Sequence, residues 1–223
     1  MTEILYTIFV KDGAWLTILK GLWVTVQISA LSLLFGTLLG ALICYLRVSN
    51  FKPASLFAKV YIAIIRGSPV LMLLMLMYYG IFARSSLEAE TIAIITFSLN
   101  VAAHIAELLR ASIDATDYGQ VEAARTLGFS AWQAFRFITL PQIIKISKPV
   151  YHSTIINLIQ WTSVVGYVSI TDLTRVINNI ASRTMQPMIT IIIGMLIYLG
   201  LAYIVHGIFA ISDFFESRKE VEA

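Results

Sequence analysis

The sequence predicts an all-α membrane protein with five transmembrane helices and a short polar elbow on the cytoplasmic side. Hydrophobic residues make up 58% of the 223 residues and charged residues only 13%, whereas about a quarter of the residues of soluble proteins are charged. Several runs without any charge approach or exceed the roughly 20 helical residues that cross a bilayer. No linker long enough to separate domains is visible, so residues 1–223 are treated as one transmembrane domain.

Five spans follow from these runs, each extended by flanking residues whose long side chains reach the membrane surface. The second and third runs are short and depend on such residues, among them Lys59, Arg66 and Arg110. Gly36 and Gly40, four apart in the first span, are typical of close helix packing, either against a second subunit or, as we expect, between helices of this chain. The predicted spans cover residues 18–46, 57–83, 90–113, 145–168 and 186–212.

Lys and Arg are concentrated in the segments on one side of these spans, which gives the orientation. Of the 16 Lys and Arg residues, eleven fall on the side that includes the C-terminus. The other side holds Lys11, Lys20, Arg84, Arg175 and Arg183. Because positively charged short loops tend to stay in the cytoplasm, we expect the N-terminus outside and the C-terminus inside. The basic pI of about 9.0 is explained by this topology, and no nucleic-acid partner is inferred from it.

Residues 118–141, between the third and fourth spans, form a polar segment with helical spacing, and we refer to them as the elbow. Apolar residues recur there at near-helical intervals, which predicts a short amphipathic helix. Gly128 is expected to end this helix as a left-handed cap, and Ser130 to provide an N-cap oxygen for a second helix. Pro141 is expected to interrupt that second helix just before the membrane.

Three interpretations of the elbow remain open: a solvated loop, a helix lying on lipid, and a docking surface for a partner protein. A helix on lipid typically carries Lys and Arg on its polar face, whereas here Glu122 balances Arg125 and Asp117 lies nearby. This charge balance favours a protein groove over a lipid surface.

The elbow also resembles a known motif, the pattern E-A-A-x-x-x-G-x(9)-I-x-L-P of the permease subunits of bacterial ATP-driven (ABC) importers. The matching residues are Glu122, Ala123, Ala124, Gly128, Ile138, Leu140 and Pro141. In that family the loop is the coupling helix, which seats in a groove of a separate ATPase subunit. The resemblance therefore implies that Glu122, Ala123, Ala124 and Gly128 couple this chain to an ATPase.

The likeness extends from about Gly21 to Phe215 and is strongest to the branch of polar amino-acid permeases related to those for histidine, glutamine and arginine. The stretches GLWVTVQIS, RGSP and SLNVAAHIAELLRASI carry it. It implies a type I ABC importer permease fold, with five membrane helices per subunit and two subunits around one path for a small polar solute.

The partners implied by this resemblance are a pair of ABC ATPase subunits, a second permease subunit that is identical or homologous, and an extracytoplasmic solute-binding protein. All of them would act at the inner membrane of a bacterium. ATP and Mg would bind the ATPase pair, and this chain would bind no cofactor. The binding protein would deliver solute around Thr171 to Pro187, where Asp172 starts a short amphipathic helix.

No catalytic or metal site is predicted, so the chain is not expected to be an enzyme. The sequence has no Gly-x-x-x-x-Gly-Lys-Ser/Thr loop to bind phosphates, and ATP hydrolysis must belong to another subunit. His104, His152 and His206 fall in three different spans, which argues against a metal site. The alternative function is a secondary, ion-coupled transporter with Glu107 or His104 as a proton carrier, although such carriers usually show internal repeats in a longer chain.

Polar residues at membrane depth mark a candidate translocation path, because each is costly in lipid unless it is paired or faces water. Asn100, His104, Glu107 and Arg110 recur at helical spacing along one side of the third span. Asn100 and His104 are candidates for the path or for packing between helices. Glu107 and Arg110 are candidates for a structural ion pair that pins this helix to a neighbour.

A second polar cluster, Gln160, Trp161, Thr162 and Ser163, interrupts the fourth span and gives further path candidates. A broken segment that exposes its backbone to the path is one interpretation, and hydrogen bonds between helices are the other. In the register of the family pattern, Ser153 replaces an Asn, Gln160 a Lys, and Trp161 an acidic or amide residue. If this subunit binds solute, these departures predict one that is less anionic, or more apolar or aromatic.

Overall fold

The computed structural model describes the chain from Gly13 to Val221, with side chains described as far as Phe214. Lys11, Arg218 and Lys219, three of the charges behind the predicted orientation, lie outside the described side chains. Within the described range the chain is helical. Its α-helices are α1 (Ala14–Val48), α2 (Lys52–Gly67), α3 (Val70–Met75), α4 (Ala89–Asp114), α5 (Tyr118–Thr126), α6 (Ala131–Ala134), α7 (Leu140–Trp161), α8 (Leu173–Thr184) and α9 (Pro187–Val221).

Three helices of the described chain are long and apolar enough to cross a membrane: α1, α4 and the Pro187–Phe214 part of α9. A fourth span results if α2 and the helical residues 70–81 are counted together as one broken span. Helix α7 is not among them, because polar residues such as Lys145 and Lys148 interrupt its apolar run. Length and composition therefore give three or four spans in this range, and the count of five stays a prediction.

The predicted second span, residues 57–83, is not one helix, because the backbone is extended at Ser68 and Pro69. Ser68 has φ −97° and ψ 137°, and Pro69 has φ −61° and ψ 131°. A residue before proline is disfavoured in the α conformation, and proline itself lacks the N–H of a helical hydrogen bond. Helix α2 ends before this break and α3 begins after it, and α3 continues into a π-helical turn, Leu76–Ile81.

The expectation that Pro141 interrupts the elbow before the membrane is wrong. Pro141 occupies the first turn of α7, where the missing N–H of proline is tolerated, and the π-helical segment Phe135–Thr139 leads directly into this turn. At the other end, the α-helix stops at Trp161 and passes into a 3-10 helix, Thr162–Val168. The interruption predicted within the fourth span, residues 145–168, coincides with this change of helix type.

The described residues pack into two compact units. The first unit contains the described parts of Met1–Leu33, Pro69–Phe97 and Ile155–Ala223, and the second contains Leu34–Ser68 and Ser98–Thr154. In the first unit, the start of α1 packs on the apolar face of α8. The buried residues of that core are Ala14, Ile18, Leu173, Val176, Ile177 and Ile180. In the second unit, α1, α2 and α4 meet through the buried residues Ile43, Cys44, Ala58, Ile62 and Ala106.

Gly36 and Gly40 allow α1 to pack closely against α4 within the second unit. A Cβ atom added at Gly36 would lie 2.7 Å from the side chain of Val101, and one added at Gly40 would lie 2.7 Å from the Cβ atom of Ile105. Both separations are too short for carbon atoms that are not bonded, so this approach of the two helices requires glycine. The pair therefore packs helices of this chain against each other, as its spacing predicted.

We predict that Gly40→Ala lowers the melting temperature of the purified protein, because the added methyl group overlaps Ile105. Overpacking of this kind typically costs about 1–3 kcal/mol. Gly200→Ala is the matched control, since a Cβ atom there meets no described atom within 4 Å and alanine favours a helix over glycine. A melting temperature for Gly40→Ala equal to or above that of Gly200→Ala would contradict the close packing of α1 and α4.

Candidate functional site

Helix α5 of the elbow ends in a turn that only a few residue types accommodate. The N–H of Phe129 donates to the carbonyl oxygen of Ala124 at 3.1 Å, and the N–H of Gly128 donates to that of Arg125 at 3.2 Å. This pair of bonds is the Schellman motif, in which the residue after the helix adopts the left-handed conformation. Gly128 has a φ of 91°, so the predicted left-handed cap is confirmed.

The second helix of the elbow begins with reciprocal hydrogen bonds between Ser130 and Gln133. The N–H of Gln133 donates to Oγ of Ser130 at 3.2 Å, and the N–H of Ser130 donates to Oε1 of Gln133 at 2.7 Å. This arrangement is a capping box, and Ser130 is the N-cap that the sequence predicted. The elbow is therefore fixed at its bend by hydrogen bonds between residues close in sequence.

The outer surface of the elbow carries both a charge and large apolar side chains. Glu122 and Ala123 are exposed, and Leu127 and Trp132 are 81% and 66% exposed. Ala124 is instead 5% exposed, so it lies on the inner side of α5. Removing such apolar side chains from water stabilises a complex, so this surface is suited to docking on a partner.

Helix α4 carries the polar residues predicted for the third span. Asn100 is buried, and its Oδ1 has no hydrogen-bond partner within the described part of the chain, whereas His104 is half-buried. Glu107 and Arg110 form an ion pair with 2.6 Å between Oε1 and Nη2, and Arg110 also pairs with Asp114. The predicted ion pair of Glu107 and Arg110 is therefore confirmed, and its ionic contacts lie along α4 itself. That the pair pins this helix to a neighbour stays a prediction.

A cavity of about 580 Å³ in the first unit is lined by the end of α7, the 3-10 helix, α8 and α9. Two of the predicted path residues, Gln160 and Ser163, are brought together there. No lining residue, all of them within the described chain, carries a charge, and apolar side chains complete the wall. Among residues 13–214 no group of three His, Cys, Asp or Glu could hold a metal ion. The polar lining residues are Gln160, Ser163, Thr174, Asn178 and Tyr198.

Trp161 and Thr162, the other two members of the predicted cluster, do not line this cavity. Trp161 is half-buried, and Thr162 is buried with its Oγ1 donating to the carbonyl oxygen of Ile159 at 2.7 Å. The hydroxyl of Thr162 is thus used within the end of α7. A polar run in sequence therefore divides between the cavity wall and the interior, because a helix turns successive side chains in different directions.

Thr174, Asn178 and Tyr198 are cavity residues that the sequence analysis missed. The hydroxyl oxygens of Thr174 and Tyr198 are 2.9 Å apart and share a hydrogen bond. Thr174 and Asn178 are four residues apart on α8, a spacing that places both on one face of a helix. That spacing was the available signal, but nothing in the sequence indicated that Tyr198 on α9 would join them.

Asp172 caps α8 from a fully buried position, as the sequence predicted for the start of this helix. Its Oδ1 accepts from the N–H of Arg175 and its Oδ2 from the N–H of Thr174, each at 3.0 Å. The guanidinium of Arg175 also donates to the carbonyl oxygen of Gly166 at 2.8 Å, which connects α8 to the 3-10 helix. Burial raises the pKa of the Asp172 carboxyl, and the two N–H donors oppose that effect.

Long apolar helices, an uncharged cavity with polar groups and an exposed elbow are the features expected of a membrane permease. The chain belongs to the family described as the binding-protein-dependent transport system inner membrane component, whose model matches residues 5–218. That description makes transport depend on a binding protein. It gives no support to the ion-coupled carrier that the sequence left as an alternative.

Individual relatives share most of the chain. It is 37% identical over 182 residues to the "Probable amino-acid ABC transporter permease protein YckA" of Bacillus subtilis (strain 168), covering 81% of this chain and 80% of that protein. It is 32% identical over 185 residues to the L-cystine transport system permease protein TcyB of the same strain, covering 82% and 79%. A solved structure described as an amino acid ABC transporter with histidines shares 32% identity at a TM-score of 0.81, with 91% of this chain and 94% of that chain covered.

We predict that Asp172→Ala lowers the melting temperature more than Asp172→Asn does. Alanine removes the cap of α8, which typically costs about 1 kcal/mol, while the amide oxygen of asparagine can still accept from one of the two N–H groups. Because the pKa of Asp172 is raised in the fold, the folded protein binds the proton more tightly than the unfolded chain does. Ionisation therefore costs the wild type stability as the pH rises above about 4, the ordinary pKa of Asp.

The measurement is the melting temperature of the wild type and the Asn variant between about pH 4 and pH 7. The melting temperature of Asp172→Asn should rise relative to that of the wild type as the pH rises, because the variant has no carboxyl group to ionise. A melting temperature of the wild type that rises relative to that of Asp172→Asn over the same range would contradict the raised pKa.

Proposed function

We propose that this chain is the permease subunit of an ATP-driven amino-acid importer and that the elbow couples it to an ATPase. The observation that carries the proposal is the exposed helix α5, closed by the left-handed Gly128, in a chain of the binding-protein-dependent transport family. The names of YckA and TcyB refer to amino-acid and L-cystine transport, which supports an amino-acid cargo here.

In this proposal the exposed residues Glu122 and Ala123 seat in a groove of the ATPase. Ala124 is small enough to let α5 pack against the rest of the elbow, and Gly128 sets the turn that presents the helix. ATP and Mg bind to a pair of ATPase subunits, whose closure moves the elbow, and hydrolysis returns it. This chain supplies the docking surface and the membrane helices and binds no cofactor itself.

The translocation path is assigned to this chain together with a second permease subunit, identical or homologous. Gln160 and Ser163 are proposed to contact solute from the cavity wall. Asn100 and His104 are assigned to the path within the second unit. The buried amide oxygen of Asn100 supports its assignment, because a buried polar atom without a partner costs stability and calls for a functional reason.

Helix α7 is proposed to be the fifth membrane span, with the N-terminus outside and both the elbow and the C-terminus in the cytoplasm. The helix has 22 residues and continues into a 3-10 helix of 7 residues, which is enough to cross the hydrocarbon region. Its low hydropathy is compatible with this role if its polar side lines the path instead of facing lipid. The membrane is then the inner membrane of a bacterium.

The solute-binding protein is proposed to dock on the outer side near Thr171 and Pro187. A second cavity of the first unit, about 470 Å³, has Thr171, Lys20, Glu88 and Glu90 among its lining residues. Charges of both signs at such a surface orient a partner and increase its association rate more than its affinity.

We predict that Gly128→Val lowers solute-stimulated ATP hydrolysis and uptake about five- to thirty-fold without preventing membrane insertion. A left-handed backbone costs a residue with a side chain roughly 1–2 kcal/mol, and a β-branched side chain is the least tolerant of it. Gly128→Asn is the matched control, because asparagine adopts this conformation more readily. The assay uses the permease reconstituted in lipid vesicles with its ATPase and binding protein. Equal uptake by the Val and Asn variants would contradict the role of the turn.

We predict that the importer prefers neutral or aromatic amino acids to acidic ones, because the cavity around Gln160 offers hydroxyl and amide groups but no cation. All three amino acids named below carry an α-carboxylate, and only glutamate has a second carboxylate in its side chain. Burying that second carboxylate without a positive partner is strongly disfavoured. Competition among glutamate, glutamine and tryptophan for uptake into vesicles measures the preference. Stronger competition by glutamate than by the two neutral amino acids would contradict it.

A further inference from the structure

We propose that Asp117, Gln120 and Gln142 form a latch between the start of the elbow and the first turn of α7, and that they are positioning residues for coupling. All three belong to the second unit. The inference rests on the proposed function, because it concerns how a movement of α5 reaches a membrane helix. Unlike the turn at Gly128, the latch joins two elements that are separate in sequence.

Three hydrogen bonds close the latch into a ring. The N–H of Asp117 donates to Oε1 of Gln142 at 3.0 Å, and Nε2 of Gln142 donates to Oε1 of Gln120 at 3.1 Å. Nε2 of Gln120 then donates to Oδ2 of Asp117 at 3.2 Å. The other carboxylate oxygen of Asp117 accepts from the N–H of Gly119 at 2.9 Å and caps α5. One carboxylate therefore both starts the helix and takes part in the ring.

The ring requires an amide side chain at both position 120 and position 142. A backbone N–H can only donate and an ionised carboxylate can only accept, so Asp117 fixes how the two amides point. Gln142 turns its oxygen to the N–H of Asp117, and Gln120 turns its nitrogen to the carboxylate. The remaining oxygen of Gln120 and nitrogen of Gln142 then match as acceptor and donor.

The latch bridges a segment that is less regular than the helices on either side. Asp117 and Gln120 lie at the start of α5, and Gln142 lies in the first turn of α7. Between them the chain passes through the turn at Gly128, the short α6 and a π-helical segment. Such segments can absorb a displacement by changing their local geometry. A direct bond from α5 to α7 gives movement of the elbow a shorter route to the helix that carries Gln160.

The test measures solute transported per ATP hydrolysed, using the permease in lipid vesicles with its ATPase and binding protein. Gln142→Leu removes both side-chain bonds of this residue at similar volume. We expect the ratio to fall about five-fold, the effect of losing two exposed hydrogen bonds. The ATPase should still co-purify with the variant, because the Glu122 surface is unchanged.

Two further variants separate a ring from independent contacts. Gln120→Leu should lower the ratio as much as Gln142→Leu does, and the double variant should fall no further, because either substitution opens the ring. Gln142→Glu should lower the ratio as much as Gln142→Leu does, because its carboxylate still accepts from the N–H of Asp117 but cannot donate to Oε1 of Gln120, so the ring is open. The control is Asn50→Leu, which removes an exposed amide between α1 and α2 and should leave the ratio unchanged.

An unchanged ratio in Gln142→Leu, or additive effects in the double variant, would overturn the latch while leaving the proposed function intact. A lower uptake explained entirely by a lower melting temperature, with the ratio preserved, would also overturn it, because the residues would then act in folding alone. The proposed function fails separately, if the wild-type permease does not associate with an ATPase at all.

Discussion

Inside a bilayer the backbone has no water to hydrogen-bond, and the rest of this structure depends on that constraint. The long helices α1, α4 and α9 satisfy this constraint because their backbone N–H and C=O groups bond to each other within each helix. Where the α-helical pattern stops after α7, side chains of the same unit provide the missing donors. The hydroxyl of Tyr79 donates to the carbonyl oxygen of Tyr167 at 3.1 Å, and Arg175 donates to that of Gly166. Carbonyl groups in the irregular backbone of the 3-10 helix therefore accept hydrogen bonds from side chains. This helix lies next to the cavity whose polar lining residues are uncharged.

The elbow and the cavity meet different physical requirements. A docking helix must keep its shape while it is exposed, and the elbow does so with hydrogen bonds that lie within a few residues of Gly128 and Ser130. A solute path must present polar groups without the cost of leaving them unpaired. In the cavity that we propose as part of this path, the hydroxyl groups of Thr174 and Tyr198 are satisfied by bonding to each other, and each can exchange that partner for a polar group of a solute.

Features that depend on a few neighbouring residues could be predicted from the sequence, and features that depend on packing could not. The caps at Gly128, Ser130 and Asp172 follow from side chains and backbone groups two to five positions apart. The rule that proline breaks helices is equally local, but its effect depends on where a helix begins. It fails at Pro141, which lies in a first turn, and applies at Pro69, where the predicted span was broken.

The cavity shows the limit of local reasoning most clearly. Gln160 stood out because a polar amide is unexpected in a span, yet only the packing of α8 and α9 brings Thr174, Asn178 and Tyr198 to it. The most direct test of the proposed function is to measure ATP hydrolysis and uptake by the permease in vesicles with its ATPase and binding protein. We expect an amino acid presented by the binding protein to stimulate hydrolysis and to enter only with ATP. Uptake driven by an ion gradient in the absence of ATP would contradict it.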